Sequence, residues 1–165
     1  MRFRYTQDTD SVDGYEIVSV HYQNGCPITF IVQNVFIPFG LNYDKSIKFD
    51  VLDSECSSNN GIANIEHLEK EAVGKIQDLL CRDESLTKSF SFLKKKGRFA
   101  LNLIGHVQYS PNGQLVTTIT KKKGLPPSVT ELKGFRAKVT LSFKSFWVKN
   151  KKIYGKLKIE EVNVL

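Results

Sequence analysis

One stretch of this chain has the period of a helix, and it stands between stretches with the period of a strand. From Ile62 to Leu80 apolar residues fall at 62, 65, 68, 72, 76, 79 and 80. That is the 3.6-residue stripe of an amphipathic helix. Ser57, Ser58, Asn59 and Asn60 precede it and offer N-cap side chains. Before it, residues 15–23 place Val18, Val20 and Tyr22 on one parity, and Asn24-Gly25 makes a turn. Residues 28–37 are a β-branched and aromatic run closed by Pro38 and Gly40. Residues 46–52 alternate, with Ile47, Phe49 and Val51 inward and Lys48 and Asp50 outward. After the helix, strands are expected at 98–109, 114–120, 134–148 and 153–164. Pro111-Asn112-Gly113 forms a turn, and Lys121 to Pro127 a connection.

Three strands, one helix, then more strands predict a mainly β fold with one helix. The arrangement fits an OB-like Greek-key β-barrel with an extra β-hairpin, its helix between the third and fourth strands. A plain α+β sheet and a β-sandwich are the alternatives. The length of 165 residues suits one nucleic-acid-binding domain over 1–165, with a core large enough to fold unaided.

Charge divides the chain. Residues 1–83 carry 7 Lys/Arg against 13 Asp/Glu, a net of −6. Residues 84–165 carry 17 against 4, a net of +13. Such a basic half points to a polyanionic partner, usually nucleic acid. No apolar run reaches the ~18 residues of a membrane span, and the first residues lack a signal-peptide core. Cys26, Cys56 and Cys81 are an odd number in no metal-ligand spacing. These features point to an intracellular protein, cytoplasmic or nuclear, in a reducing compartment and without a membrane role.

The closing hairpin carries the most detail. Phe135, Ala137, Val139, Leu141 and Phe143 share an apolar parity, and Arg136, Lys138, Thr140, Ser142 and Lys144 the polar one. In the return strand Leu157 and Ile159 face in, with Tyr154, Lys156 and Lys158 out. The parity flips near Glu160-Glu161, which calls for a β-bulge. A three-residue loop, Asn150 to Lys152, keeps one core face and pairs Phe143 with Ile159 and Trp147 with Gly155. It also sets Phe146 beside Lys156 and Lys144 beside Lys158. Like charges facing each other destabilise a sheet unless a polyanion neutralises them. Rings among cations suit single-stranded nucleic acid, whose bases stack while its phosphates pair. The opposing reading is a solvated, aggregation-resistant edge.

The stretch GFRAKVTLSFKSFWVKNKKIYGKLKIEEVNV resembles the C-terminal strands of single-stranded-DNA-binding proteins of large eukaryotic DNA viruses. The likeness covers about the last 30 residues. It implies an OB-type domain that coats single strands in replication, recombination or repair. The matching positions are Lys144, Phe146, Trp147, Tyr154, Lys156 and Lys158.

Two further basic clusters, Lys94-Lys95-Lys96-Gly97-Arg98 and Lys121-Lys122-Lys123, are expected to flank a hairpin and contact phosphates. Either also reads as a nuclear-import signal. The nucleic-acid-binding set is therefore Lys94, Lys95, Lys96, Arg98, Lys121, Lys122, Lys123, Lys138, Lys144, Phe146, Trp147, Tyr154, Lys156 and Lys158, with Tyr109 in reserve. Asp8 to Gly14 fails calcium-loop spacing, with Val12 at its fifth position. Asp50 and Asp53 have opposite parity and do not converge as a two-metal site would. No nucleophile motif appears. No catalytic residue, metal or cofactor is expected, and the chain is read as a non-enzyme. The partner is single-stranded DNA or RNA, with self-association through the acidic half. The competing function is a basic β-module docking an acidic protein in a replication or virion assembly.

Overall fold

The computed structural model describes residues 2–8, 14–52, 60–80, 83, 85–95 and 100–165. Five strands close on themselves. These are β3 (Ile28–Phe36), β4 (Ser46–Leu52), β7 (Ala100–Val107), β9 (Arg136–Phe143) and β12 (Lys158–Val164). They belong to a seven-stranded sheet whose edges are β6 (Leu93–Lys95) and β8 (Thr118–Lys121). A parallel pairing of β7 with β12, His106 opposite Lys158, completes the ring. Among the described residues the fold is mainly β with one α-helix, and its barrel is OB-like.

Alternation fills the barrel. Ile28, Phe30 and Val32 of β3, Ile47, Phe49 and Val51 of β4, and Val139, Leu141, Ile159 and Val162 are all buried. Closure depends on Gly105. A Cβ there would lie 2.7 Å from Ile159 Cγ1 and 3.0 Å from Leu141 Cδ2. Only glycine lets β7 approach β12 this closely.

The second sheet runs β1 (Phe3–Gln7), β2 (Glu16–Tyr22), β10 (Ser145–Lys149), β11 (Lys152–Tyr154) and β5 (Thr87–Lys88). Its inner face contributes Phe3, Val18, Val20, Phe146, Val148 and Ile153 to the core. Helix α1 (Asn60–Leu79) packs against β3 and β1, burying Ile62, Ile65, Leu68, Ala72 and Ile76 as its stripe requires. Its first turn touches the β3 backbone: a Cβ on Gly61 would fall 2.1 Å from the Ile31 carbonyl oxygen. The four N-cap candidates lie outside the described residues, apart from Asn60, where the helix begins.

Three expectations change. Strand 15–23 exists as β2, but it pairs with β1 and β10 rather than joining the barrel. The helix therefore follows the second barrel strand, not the third; alternation identifies a strand but not its neighbours. Secondly, 134–148 and 153–164 are each two strands. The chain leaves the barrel at Lys144, forms the β10–β11 hairpin in the second sheet, and returns through residues 155–157. The hairpin turn is the two residues Asn150 and Lys151, at φ 52° and 63°. Positive φ at both central residues is the type I′ geometry that matches strand twist. Trp147 thus faces Tyr154, while Lys158 pairs with Ser142 and His106. The three-residue register assumed one continuous face, and the change of sheet removes that premise. Thirdly, 114–120 shortens to β8 with an isolated Tyr109–Leu115 bridge. The bulge expected near Glu160 is present, as the register shifts between Ile159 and Glu161.

Candidate nucleic-acid interface

OB barrels bind oligonucleotides on the face of their second and third strands and on the loops joining strands one to two and four to five. Here those are the outer faces of β4 and β7, loop 37–45, and residues 144–157 with the β10–β11 hairpin.

Loop 37–45 is held by its own backbone. Asn42 N–H donates to the Ser46 carbonyl at 2.8 Å, and Lys45 N–H donates to the Asn42 carbonyl at 3.0 Å. Val107 N–H donates to the Lys45 carbonyl at 2.8 Å, which fastens the loop to β7. The Ser46 hydroxyl and backbone N–H both donate to the Asp44 carboxylate, holding its pKa below the usual value. The turn leaves the Tyr43 ring fully exposed, and Phe39 is 61% exposed. Lys45 Nζ sits 5.4 Å from the centroid of Tyr109, itself an exposed ring.

His106 lies on the same rim, Cα partner of both Ser46 and Lys158. Burial and then the positive charge of Lys156 lower its pKa, opposed by Asp44. Down the outer face, Lys48 pairs with Ile104, and Lys94 of β6 with Asn102. Tyr43, Lys45, Tyr109 and Lys156 thus edge a face carrying Lys48 and Lys94.

The hairpin adds a second set of rings. Trp147 is half-buried between its Cα partners Ile17 and Tyr154. The Tyr15 and Tyr154 rings meet edge-on at 6.1 Å, and Lys149 Nζ lies 4.8 Å from the Tyr15 centroid.

Phe146 is the main correction. It is fully buried in a cluster with Phe90, Phe92 and Phe143, its centroid 4.5 Å from that of Phe143. A Cβ on Gly155 would lie 2.9 Å from the Phe146 ring, so this glycine covers Phe146, not Trp147. The switch of sheet after Lys144 turns Phe146 inward and Trp147 outward. Phe146 cannot stack on a base.

The remaining positions divide. Lys94 and Lys95 are exposed on β6; Lys96 and Arg98 lie outside the described residues. Lys156 and Lys158 are exposed beside the rim. Lys121, Lys122 and Lys123 are exposed, with Lys121 opposite Val164 at the far end of β12 from Lys158. Six residues of strand separate them, about 20 Å. Between the described parts of the two clusters, β7 and β8 each pair with β12, and the chain makes a short hairpin around the Tyr109–Leu115 bridge. Lys121 Nζ lies 5.9 Å from the Phe135 ring, and Lys133 abuts Gly40, which links this cluster to the base of loop 37–45. Lys138 is half-buried on the outer wall of β9, and Lys144 is exposed where β9 ends.

Sequence reasoning passed over Phe39, Tyr43, Lys45 and Lys48, since they lie in the acidic half. Their signal was two aromatic residues in a short loop with no apolar parity to explain them. Among the described residues no group of three or more His, Cys, Asp or Glu is placed to hold a metal, and no helix is long and apolar enough to cross a membrane. Thr9 to Asp13, Asp53 and Glu55 lie outside the described residues.

No protein-family model matches the sequence, and no curated protein matches it. Among solved structures the fold is similar to gp2.5, a single-stranded DNA binding protein encoded by bacteriophage T7. The TM-score is 0.55 at 11% identity, over 84% of this chain and 86% of that one, a likeness of fold.

Proposed function

We propose that this protein binds single-stranded DNA with little sequence specificity, through lysine–phosphate contacts and stacking of bases on exposed rings. The observation that carries the reading is Tyr43, a fully exposed ring on a hydrogen-bonded turn, with the Lys45–Tyr109 pair behind it. Because the backbone of the turn is already ordered, only the Tyr43 side chain has to be immobilised when a base stacks on it. Lys48, Lys94, Lys95, Lys156 and Lys158 follow the phosphates across the barrel face. Lys121, Lys122 and Lys123 extend the track past Phe135, and Lys144 and Lys138 serve the wall beyond the hairpin. Trp147 and Tyr154 take bases on the hairpin. Duplex is disfavoured because its bases are already stacked on one another.

One comparison supports the reading: the fold is similar to that of a phage single-stranded DNA binding protein. A role in viral replication, recombination or repair follows from the same reading, as does self-association of acidic with basic surfaces along a strand.

The test is binding of fluorescent oligo-dT, a mixed duplex and a matching RNA across a salt series. The expected result is tight dT binding, weak duplex binding and a log–log slope of several units, each phosphate contact adding about 0.7. Absence of dT binding at low salt would overturn the reading and leave docking of an acidic protein as the use of the basic half.

A further inference from the structure

A groove of about 560 Å³ opens where the second sheet meets the outer wall of the barrel, away from loop 37–45. Its size falls within the range of about 300–1,000 Å³ typical of small-molecule sites. Pro27 and Phe143 supply apolar walls, and His21, Ser142, Lys144 and Glu160 supply polar groups. The bulge in β12 explains why a carboxylate is there. Ile159 pairs with Leu141 and Glu161 with Thr140, so Glu160 is the extra residue. Bulges re-aim a side chain out of the pleat. The Ser142 hydroxyl donates to Glu160 Oε1, fixing the carboxylate in the groove wall.

We propose that this groove holds one nucleotide of a bound single strand, its phosphate at Lys144 and its base edge at Glu160, and that it favours cytosine over thymine. The inference rests on the single-strand reading above. Position supports it first. Lys144 directly precedes the strand that carries Trp147, and its carbonyl is fixed by the Val20 N–H at 2.9 Å. His21 lies on the same face of β2 as Ile17, the partner of Trp147. Four residues separate them, about 13 Å along the sheet. A strand stacked on Trp147 and Tyr154 therefore meets the groove if it continues along β2.

Hydrogen-bond chemistry supports it next. An ionised carboxylate only accepts, and Ser142 occupies one of its several lone pairs. The cytosine 4-amino group is a donor that Glu accepts from. Thymine presents acceptor oxygens on both sides of its single N–H, and these oppose a carboxylate. Lys144 at the groove offsets the repulsion between Glu160 and the phosphates.

Equal-length oligo-dC and oligo-dT, titrated against wild type and Glu160→Gln, test the idea. Wild type is expected to prefer dC about fivefold, near the lower end of the discrimination a good base contact gives. Glu160→Gln should bring the ratio close to one, with affinity for dT unchanged or raised. Lys144→Gln should weaken both and lower the salt slope by about 0.7. If Glu160→Gln fails to fold, Ser142→Ala reads the same ratio. Equal, tight binding of dC and dT to wild type would overturn the groove while leaving single-strand binding intact. A preference that persists in Glu160→Gln would also overturn it. Binding of neither oligonucleotide would remove both readings.

Discussion

Loop 37–45 and the β10–β11 hairpin both present rings to solvent, and they hold those rings by different means. The loop uses local hydrogen bonds: Asn42 to Ser46, Lys45 to Asn42, and Asp44 accepting from Ser46. These bonds, and the one that Val107 N–H donates to the Lys45 carbonyl, fix the backbone at the barrel rim, and Tyr43 itself contributes nothing to burial. The hairpin is held by its other face. Phe146, Val148 and Ile153 are buried, so Trp147 and Tyr154 are oriented by the core beneath them. Recognition and stability are therefore separable in the loop and coupled in the hairpin.

The largest expected effect breaks the coupled side. Phe146→Ala removes a fully buried ring from the four-phenylalanine cluster and should destabilise the fold by about 3–5 kcal/mol. Urea denaturation would read the loss as a lower midpoint. Binding by the hairpin should fall with it, although Phe146 never reaches solvent. A variant of unchanged stability would show that the cluster does not hold the hairpin.

Tyr43→Ala is the counterpart on the separable side. It should cost single-strand affinity about 1–3 kcal/mol, the worth of one stacked base, and leave the urea midpoint where it was. Fluorescence anisotropy on oligo-dT measures the first and denaturation the second. If Tyr43→Ala binds normally while Trp147→Ala does not, the hairpin alone carries recognition and the comparison collapses to one region. Lys45→Gln should do less. It removes one phosphate contact, about 0.7 from the salt slope, and releases the Tyr109 ring it covers.

The same contrast explains what could be read from the sequence. The α1 stripe and the faces of β3, β4 and β9 were legible because alternation and 3.6-residue spacing record burial directly. The bulge at Glu160 was legible because a parity flip has few other causes. Strands β5 and β6 escaped because runs such as Thr87-Lys88 and Leu93-Lys94-Lys95 hold no pattern; their partners make them strands. Phe146 was misread because parity was carried across Lys144, where the chain changes sheets. A pattern of period two reports which side is buried within one sheet and says nothing of where that sheet ends. Tyr43 escaped for the opposite reason: net charge directed attention to the basic half, while the exposed ring lies between two acidic-half strands.

The smallest expected effect concerns pH at the junction of the two regions. His106 stands between Asp44 of the loop and Lys156 at the foot of the hairpin. Burial and Lys156 lower its pKa from 6.5, so the folded protein binds this proton less readily than the unfolded chain. Its contribution to stability is therefore complete above pH 6.5 and is lost progressively as pH falls below that value. Strand binding should work in the other direction. Phosphates drawn to Lys156 and Lys158 screen the charge that disfavours imidazolium and add an attraction for it, which raises the His106 pKa in the complex. Binding then takes up a proton, and affinity should increase as pH falls through the range in which the bound imidazole is protonated and the free one, its pKa held below 6.5, is not. His106→Gln should abolish that increase and leave affinity at pH 8 unchanged. A titration in two buffers of different ionisation enthalpy would detect the proton directly. Equal apparent enthalpies in both would mean that no proton is taken up and that the strand does not pass over this junction.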